Sequence, residues 1–213
     1  MTHPMPTITQ LRKARKEFNR IEPRDFFYWS VTKLVTAVLE DKTGKKKVDE
    51  LVRALMMLLM TWNKNYYRFH GPKGKQTLEE HFIELEIVIS KHLVQLLVYR
   101  NCIIEDVSEL PSLKIQELFQ DFEKVLGRVG AAKCLHLIAP RFFPLWDAAI
   151  LKGYGMEKGQ YRNRLDCERY VAFMAISQAQ IVRLGNISSF ADNPLKSLDE
   201  YNYCCFTKKV SFK

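Results

Sequence analysis

Several specialised protein classes are excluded by what this chain does not contain. Five cysteines among 213 residues (Cys102, Cys134, Cys167, Cys204, Cys205) make no paired framework. Adjacent Cys204 and Cys205 cannot bridge each other without strain, so a reducing compartment is expected and a disulfide scaffold is not. There is no zinc-type spacing and no four-cysteine iron–sulfur loop, and neither a metal nor another cofactor is expected. The longest apolar run, Ala54 to Met60, falls far short of the roughly 20 residues that span a bilayer. Met1-Thr-His-Pro-Met-Pro6 has no apolar signal region. An intracellular protein of the cytoplasm or nucleoid, with no membrane partner, is therefore expected. Internal repeats and low-complexity tracts are absent, which leaves out solenoids and disordered chains.

What is present is an ordinary globular composition, 47% hydrophobic and 27% charged, long enough for one large domain. The net charge is +9, which suits phosphate backbones or anionic surfaces and says nothing about fold. Arg12, Lys13, Arg15, Lys16 and Arg20 cluster near the start, and further lysines mark loops and the tail.

Apolar spacing is helical nearly throughout. Val48 to Tyr67 carries apolar residues on most faces, as a central helix would. Thr77-Leu-Glu-Glu80 reads as a capping box opening a helix to about Tyr99. Leu113 to Leu126 follows the three-to-four spacing, and Gly127 would end it. Arg164 to Leu184 is another amphipathic helix, closed by Gly185. Ser197-Leu-Asp-Glu200 reads as the cap of a last helix, and Lys209 to Phe212 alternates as a short strand would. Phe26, Phe27, Tyr28 and Trp29 read as core. The expected fold is all-α, a single domain over residues 1–213, with the loop His70-Gly-Pro-Lys-Gly-Lys-Gln76 dividing lobes 1–76 and 77–213.

One stretch carries more chemistry than the rest. Gly127-Arg-Val-Gly130 can make a tight turn between two helices and bring backbone N–H groups to a phosphate, with Arg128 and Lys133 adding positive charge. A plain αα-hairpin is the competing reading. Downstream, Phe142-Phe-Pro-Leu-Trp146 delivers Asp147 to the start of another helix. That aspartate is a ready N-cap, and its apolar approach also suits a carboxylate that stabilises a developing cation. His136 reads first as a hydrogen-bonded core residue, and alternatively as a group that positions water, phosphate or Asp147. Trp62, Asn63, Asn65, Tyr66, Arg68 and His70 interleave aromatic, amide and basic groups. Part of this set would complete a core stripe. The rest, with Trp146, would stack and hydrogen-bond a base or reach DNA.

Leu126-Gly-Arg-Val-Gly130 resembles the L-P-G-V-G hairpin of the helix-hairpin-helix DNA glycosylases. Phe143-Pro-Leu-Trp-Asp147-Ala-Ala-Ile-Leu-Lys152 is similar to the segment around their catalytic aspartate, F-P-I-L-D-G-N-V-K-R in the adenine-specific branch. The likeness covers about Ile115 to Tyr154 and lacks the iron–sulfur loop of some members. It implies a two-lobed helical bundle with a helix-hairpin-helix motif over about 113–139 and a cleft between lobes. It implies a monomer that binds double-stranded DNA through Gly127, Arg128, Val129 and Gly130, flips a modified base and cuts its glycosidic bond. Asp147 would take the place of the catalytic aspartate, and Lys133 that of the lysine with which some members form a Schiff base and cleave the strand. Aligned on Val129-Gly130, the family's lysine falls on Ala132. Lys133 stands one residue later, roughly 100° round a helix, and 14 residues before Asp147. Against this enzyme stand two other classes: a non-catalytic helix-hairpin-helix DNA-binding protein, and a helical protein-interaction domain.

Overall fold

Two reciprocal caps show how the local sequence starts its helices. Thr7 Oγ1 accepts from Gln10 N–H at 3.2 Å while the Gln10 side chain accepts from Thr7 N–H at 2.9 Å, opening α1 (Ile8–Ile21). Thr77 and Glu80 do the same at 3.2 and 2.6 Å, opening α4 (Leu78–Arg100) where the capping box predicts it. The computed structural model describes residues 5–41, 47–63, 66–70, 77–185 and 191–212. Its other helices are α2 (Asp25–Glu40), α3 (Lys47–Trp62), α5 (Ser112–Ile138), α6 (Ala148–Gly153), α7 (Asp166–Leu184) and α8 (Pro194–Asn202). Single π-type turns lie at Tyr66–His70 and Tyr203–Thr207. Among the described residues there is no strand, so the alternation at Lys209 to Phe212 does not form one. No described helix is long and apolar enough to cross a membrane.

The protein is an all-helical bundle. α3 buries Leu51, Val52, Leu55, Leu58 and Leu59 and packs between α2 and α4; α5 packs on α4 and α7. α1 lies against α8, which brings residues near both ends of the sequence onto one face of the core. The last helix starts earlier than Ser197-Leu-Asp-Glu200 suggests. Asn193 accepts from Lys196 N–H at 3.1 Å and Pro194 takes the first helical position, so Ser197 and Glu200 lie inside α8. The aromatic run in α2 also differs from expectation: only Tyr28 is core, whereas Phe26 is 72% exposed and Phe27 and Trp29 are over 40% exposed. Four consecutive helical residues span all faces of a helix, so they cannot share one buried side.

Gly127 interrupts α5. Its backbone, at φ 67° and ψ 164°, occupies a region open essentially to glycine alone. Tyr66 closes over the break: its hydroxyl donates to the Val125 carbonyl at 2.7 Å, and its ring would lie 3.2 Å from a Cβ on Gly127. Gly127→Ala is expected to cost about 1–3 kcal/mol, lowering Tm by a few degrees per kcal/mol in a chain of this size, as measured by calorimetry.

Candidate active site

The break at Gly127 redirects the second half of α5. After it, Gly130, Ala131 and Ala132 are buried against the core, and a Cβ on Gly130 would come within 2.9 Å of both Asn63 and Leu126. Ala132, where the family's lysine would fall, is fully buried. Lys133 is the residue that reaches the cavity. Its Nζ donates to the Trp62 carbonyl at the end of α3, 2.5 Å away. Burial pulls its pKa down to about 8, against the upward pull of Asp147 and Asp199.

Asp147 enters from the other side as the N-cap of α6. Oδ1 accepts from Ile150 N–H at 2.8 Å and Oδ2 from the Thr207 hydroxyl at 3.0 Å. The turn that delivers it is fixed by a buried aromatic cluster: Trp146 meets Phe119, Tyr170 and Phe173, and its indole N–H donates to the Arg128 carbonyl at 3.1 Å. That bond ties the Asp147 turn directly to the Gly127 break.

Two neighbouring spaces share Arg24, Trp62, Lys133 and Asp147 as lining. The inner cavity, about 470 Å³ of empty space counting what lies open to solvent, has apolar walls that include Phe18, Trp62, Trp146 and Ile150, with Asp199 and Tyr203 among its polar groups. The outer groove, about 1260 Å³ and open to solvent, runs along Asn63, Tyr66 and Leu126 to Val129. Trp62 is a firm wall, because one face stacks on Tyr28 at 5.5 Å and its indole N–H donates to the Arg24 carbonyl.

Other expected residues sit differently. Arg128 does line the outer groove, yet its guanidinium is 3.5 Å from Glu157 and 3.7 Å from Asp166. Arg68 is exposed and lines neither space, while Asn65 and the His70 side chain lie outside the described residues. His136 lies in the core and lines neither cavity. Its Nδ1–H donates to the Phe143 carbonyl at 2.7 Å, which leaves Nε2 to accept from the Tyr28 hydroxyl at 2.9 Å. Burial pushes its pKa down to about 3, so it is a neutral structural link rather than a group facing Asp147.

Sequence reasoning missed the charged cluster beside the cavity. Lys196 is completely buried, its Nζ 3.1 Å from Asp25, 3.5 Å from Asp199 and 3.6 Å from Glu200, and 4.1 Å from the centre of the Phe18 ring. Beside it, Arg24 forks onto Glu22 with two bonds of 2.6 Å, and Tyr203 donates to the same carboxylate at 2.6 Å. These partners hold the Glu22 carboxyl at about 2 despite its burial. The available signal was charge on apolar helix faces, at Lys196 and Glu200 on α8. Among the described residues no group of histidine, cysteine and carboxylate side chains is placed to hold a metal ion. Neither family models nor curated proteins nor solved structures match the chain.

Two outcomes follow for stability. His136 has a folded pKa below its ordinary 6.5, so the unfolded chain takes up the proton first. Its contribution is complete above pH 6.5 and is lost as pH falls toward 3, at up to about 1.4 kcal/mol per pH unit. His136→Gln should lower Tm at neutral pH and flatten its slope between pH 6.5 and 4.5. Lys196→Met would strand buried carboxylates and is expected to cost about 3 kcal/mol or more in denaturant unfolding.

Proposed function

We propose that this protein is a DNA glycosylase: it binds duplex DNA, accepts a flipped modified base and cuts its N-glycosidic bond, with associated AP-lyase activity. The observation that carries this reading is the convergence of Lys133 and Asp147, from separate elements, on one aromatic-walled cavity beside a groove along the Gly127 break. The likeness of both segments to the helix-hairpin-helix glycosylases, on a chain of net charge +9, supports it further.

A flipped base needs a flat apolar slot, and Trp62, backed by Tyr28, supplies a rigid face for stacking. As the glycosidic bond lengthens, positive charge grows on the sugar. The Asp147 carboxylate, kept in place by Ile150 N–H and the Thr207 hydroxyl, stabilises that charge without reorganising. Lys133 is then the nucleophile at the sugar carbon. A pKa near 8 leaves about a tenth of the amine unprotonated at pH 7, against about 1 part in 3,000 at the ordinary value. The Trp62 carbonyl holds the amine until substrate displaces that bond.

The test is a panel of duplexes carrying oxidised, deaminated, alkylated and bulky modified bases, with alkali to reveal abasic sites. Wild type should release at least one base, and Asp147→Asn should lower that release by about 10²-fold or more while retaining salt-sensitive binding. Borohydride should trap a covalent adduct whose rate of formation rises with pH through about 8 and which is absent in Lys133→Gln. Release without any adduct would remove the lyase step and leave a water-using enzyme. Binding with no release from any duplex would reduce the protein to a DNA-binding module.

A further inference from the structure

The inner cavity holds a second acid that the chemistry above does not use. We propose that Asp199 is the proton donor to the departing base, and that the pocket is built for neutral bases whose leaving nitrogen must be protonated. This rests on the glycosylase reading.

Asp199 projects from α8 into the same cavity as Asp147, Lys133, Trp62 and Trp146. The two aspartates are held in different ways. Both oxygens of Asp147 accept hydrogen bonds, from Ile150 N–H and the Thr207 hydroxyl, which occupies it as an acceptor. Asp199 has its Oδ2 3.5 Å from the Lys196 ammonium, and no described N–H or O–H donates to its Oδ1. That oxygen is available to carry a proton to a ligand.

Burial, with the neighbouring carboxylates, favours the acid form against the pull of Lys196. Lys196 and Glu200 face Asp199 from its own helix, Asp147 from the start of α6, Lys133 from α5 and Tyr28 from α2. Asp25 reaches the same site through Lys196, the Glu22–Arg24 pair lines the cavity, and Cys204 follows α8. Burial raises the Asp199 pKa, Lys196 lowers it, Asp147 and Glu200 raise it again, and the outcome is about 6. An acid raised in this way, beside a carboxyl group whose two oxygens are already occupied by donors, suits the role of proton donor.

The step balances within the site. The Asp199 O–H gives its proton to a ring nitrogen of the base as the C1′–N bond breaks, and the bonding electron pair leaves with the base. The lone pair of neutral Lys133 forms the new bond to C1′, and the proton its nitrogen then sheds returns to Asp199. A base that is already cationic needs no such proton, so Asp199 should matter little for it.

That contrast is the test. Wild type and Asp199→Asn are compared in single turnover, from about pH 5 to about pH 9, on two duplexes: one carries 7-methylguanine, a cationic leaving group, and the other the neutral base released best in the panel. On the neutral base, wild type should exceed the variant by about 10²-fold below pH 6. The ratio should then shrink tenfold per pH unit above about 6, whatever the nucleophile. On 7-methylguanine the loss below pH 6 should be at least tenfold smaller than on the neutral base, because that leaving group already carries its own positive charge. Equal losses on both duplexes, or a ratio independent of pH, would overturn the assignment and leave the glycosylase reading standing. Should Asp199→Asn melt below the assay temperature, Asp199→Glu replaces it and must keep the wild-type pH dependence at a lower rate; a pH-independent rate there also overturns it. Wild type that releases no base from any duplex refutes the glycosylase reading itself.

Discussion

A lysine ammonium without exposed surface anchors this architecture. Lys196 stands where α1, α2 and α8 meet, against the Phe18 and Tyr28 rings and within 3.6 Å of three carboxylates. Taking an ammonium out of water costs several kcal/mol, and close carboxylates with aromatic faces are what offset it. The pairing works only with all three helices in register. Arg15 reinforces it from α1 by forking onto Glu200 at 3.1 and 3.2 Å. Through Lys196 the last helix is fixed relative to the first two, and with it the side of the cavity that carries Asp199 and Tyr203.

A second constraint acts from the opposite side. The positive-φ glycine in α5 and the Trp146 indole bonded to the Arg128 carbonyl hold the Lys133 segment and the Asp147 turn as one unit. Neither side contains the cavity alone. The long-range polar links across it are strong ones, as where Tyr203 donates to Glu22, a separation of 181 residues.

Much of the scaffold was legible because its signals are local. The Thr77 box, the positive-φ glycines Gly127 and Gly185, and Asp147 as an N-cap each depend on residues within a few positions of one another. The aromatic residues Phe26 and Trp29 were misjudged because hydrophobicity without a facing partner does not specify burial; their helix already meets the core through Tyr28, Val31 and Val35. Lys133 was out of register on a linear alignment. The count from Val129-Gly130 lies wholly beyond the break at Gly127, and the structure puts Ala132 in the core and Lys133 at the cavity. Asp199, Glu22 and Lys196 gave little signal, since charged residues on short amphipathic segments usually face water. Their role comes from tertiary pairing between residues far apart in sequence.

The antiparallel partnership of α1 with α8 has a consequence for how the protein comes into being. Contacts between residues near Arg15 and Glu200 belong to the slow, long-loop class, whose closure entropy is spent before any packing rewards it. During synthesis, at about 5–20 residues per second, Tyr28 of α2 can meet Trp62 and His136 early, whereas Phe18 of α1 must wait for Lys196 and Tyr203. Until residues 194–207 arrive, the nascent chain has Lys133 and the Asp147 turn but no closed cavity around them. Lys133 therefore gains its full surroundings only once α8 has packed against α1.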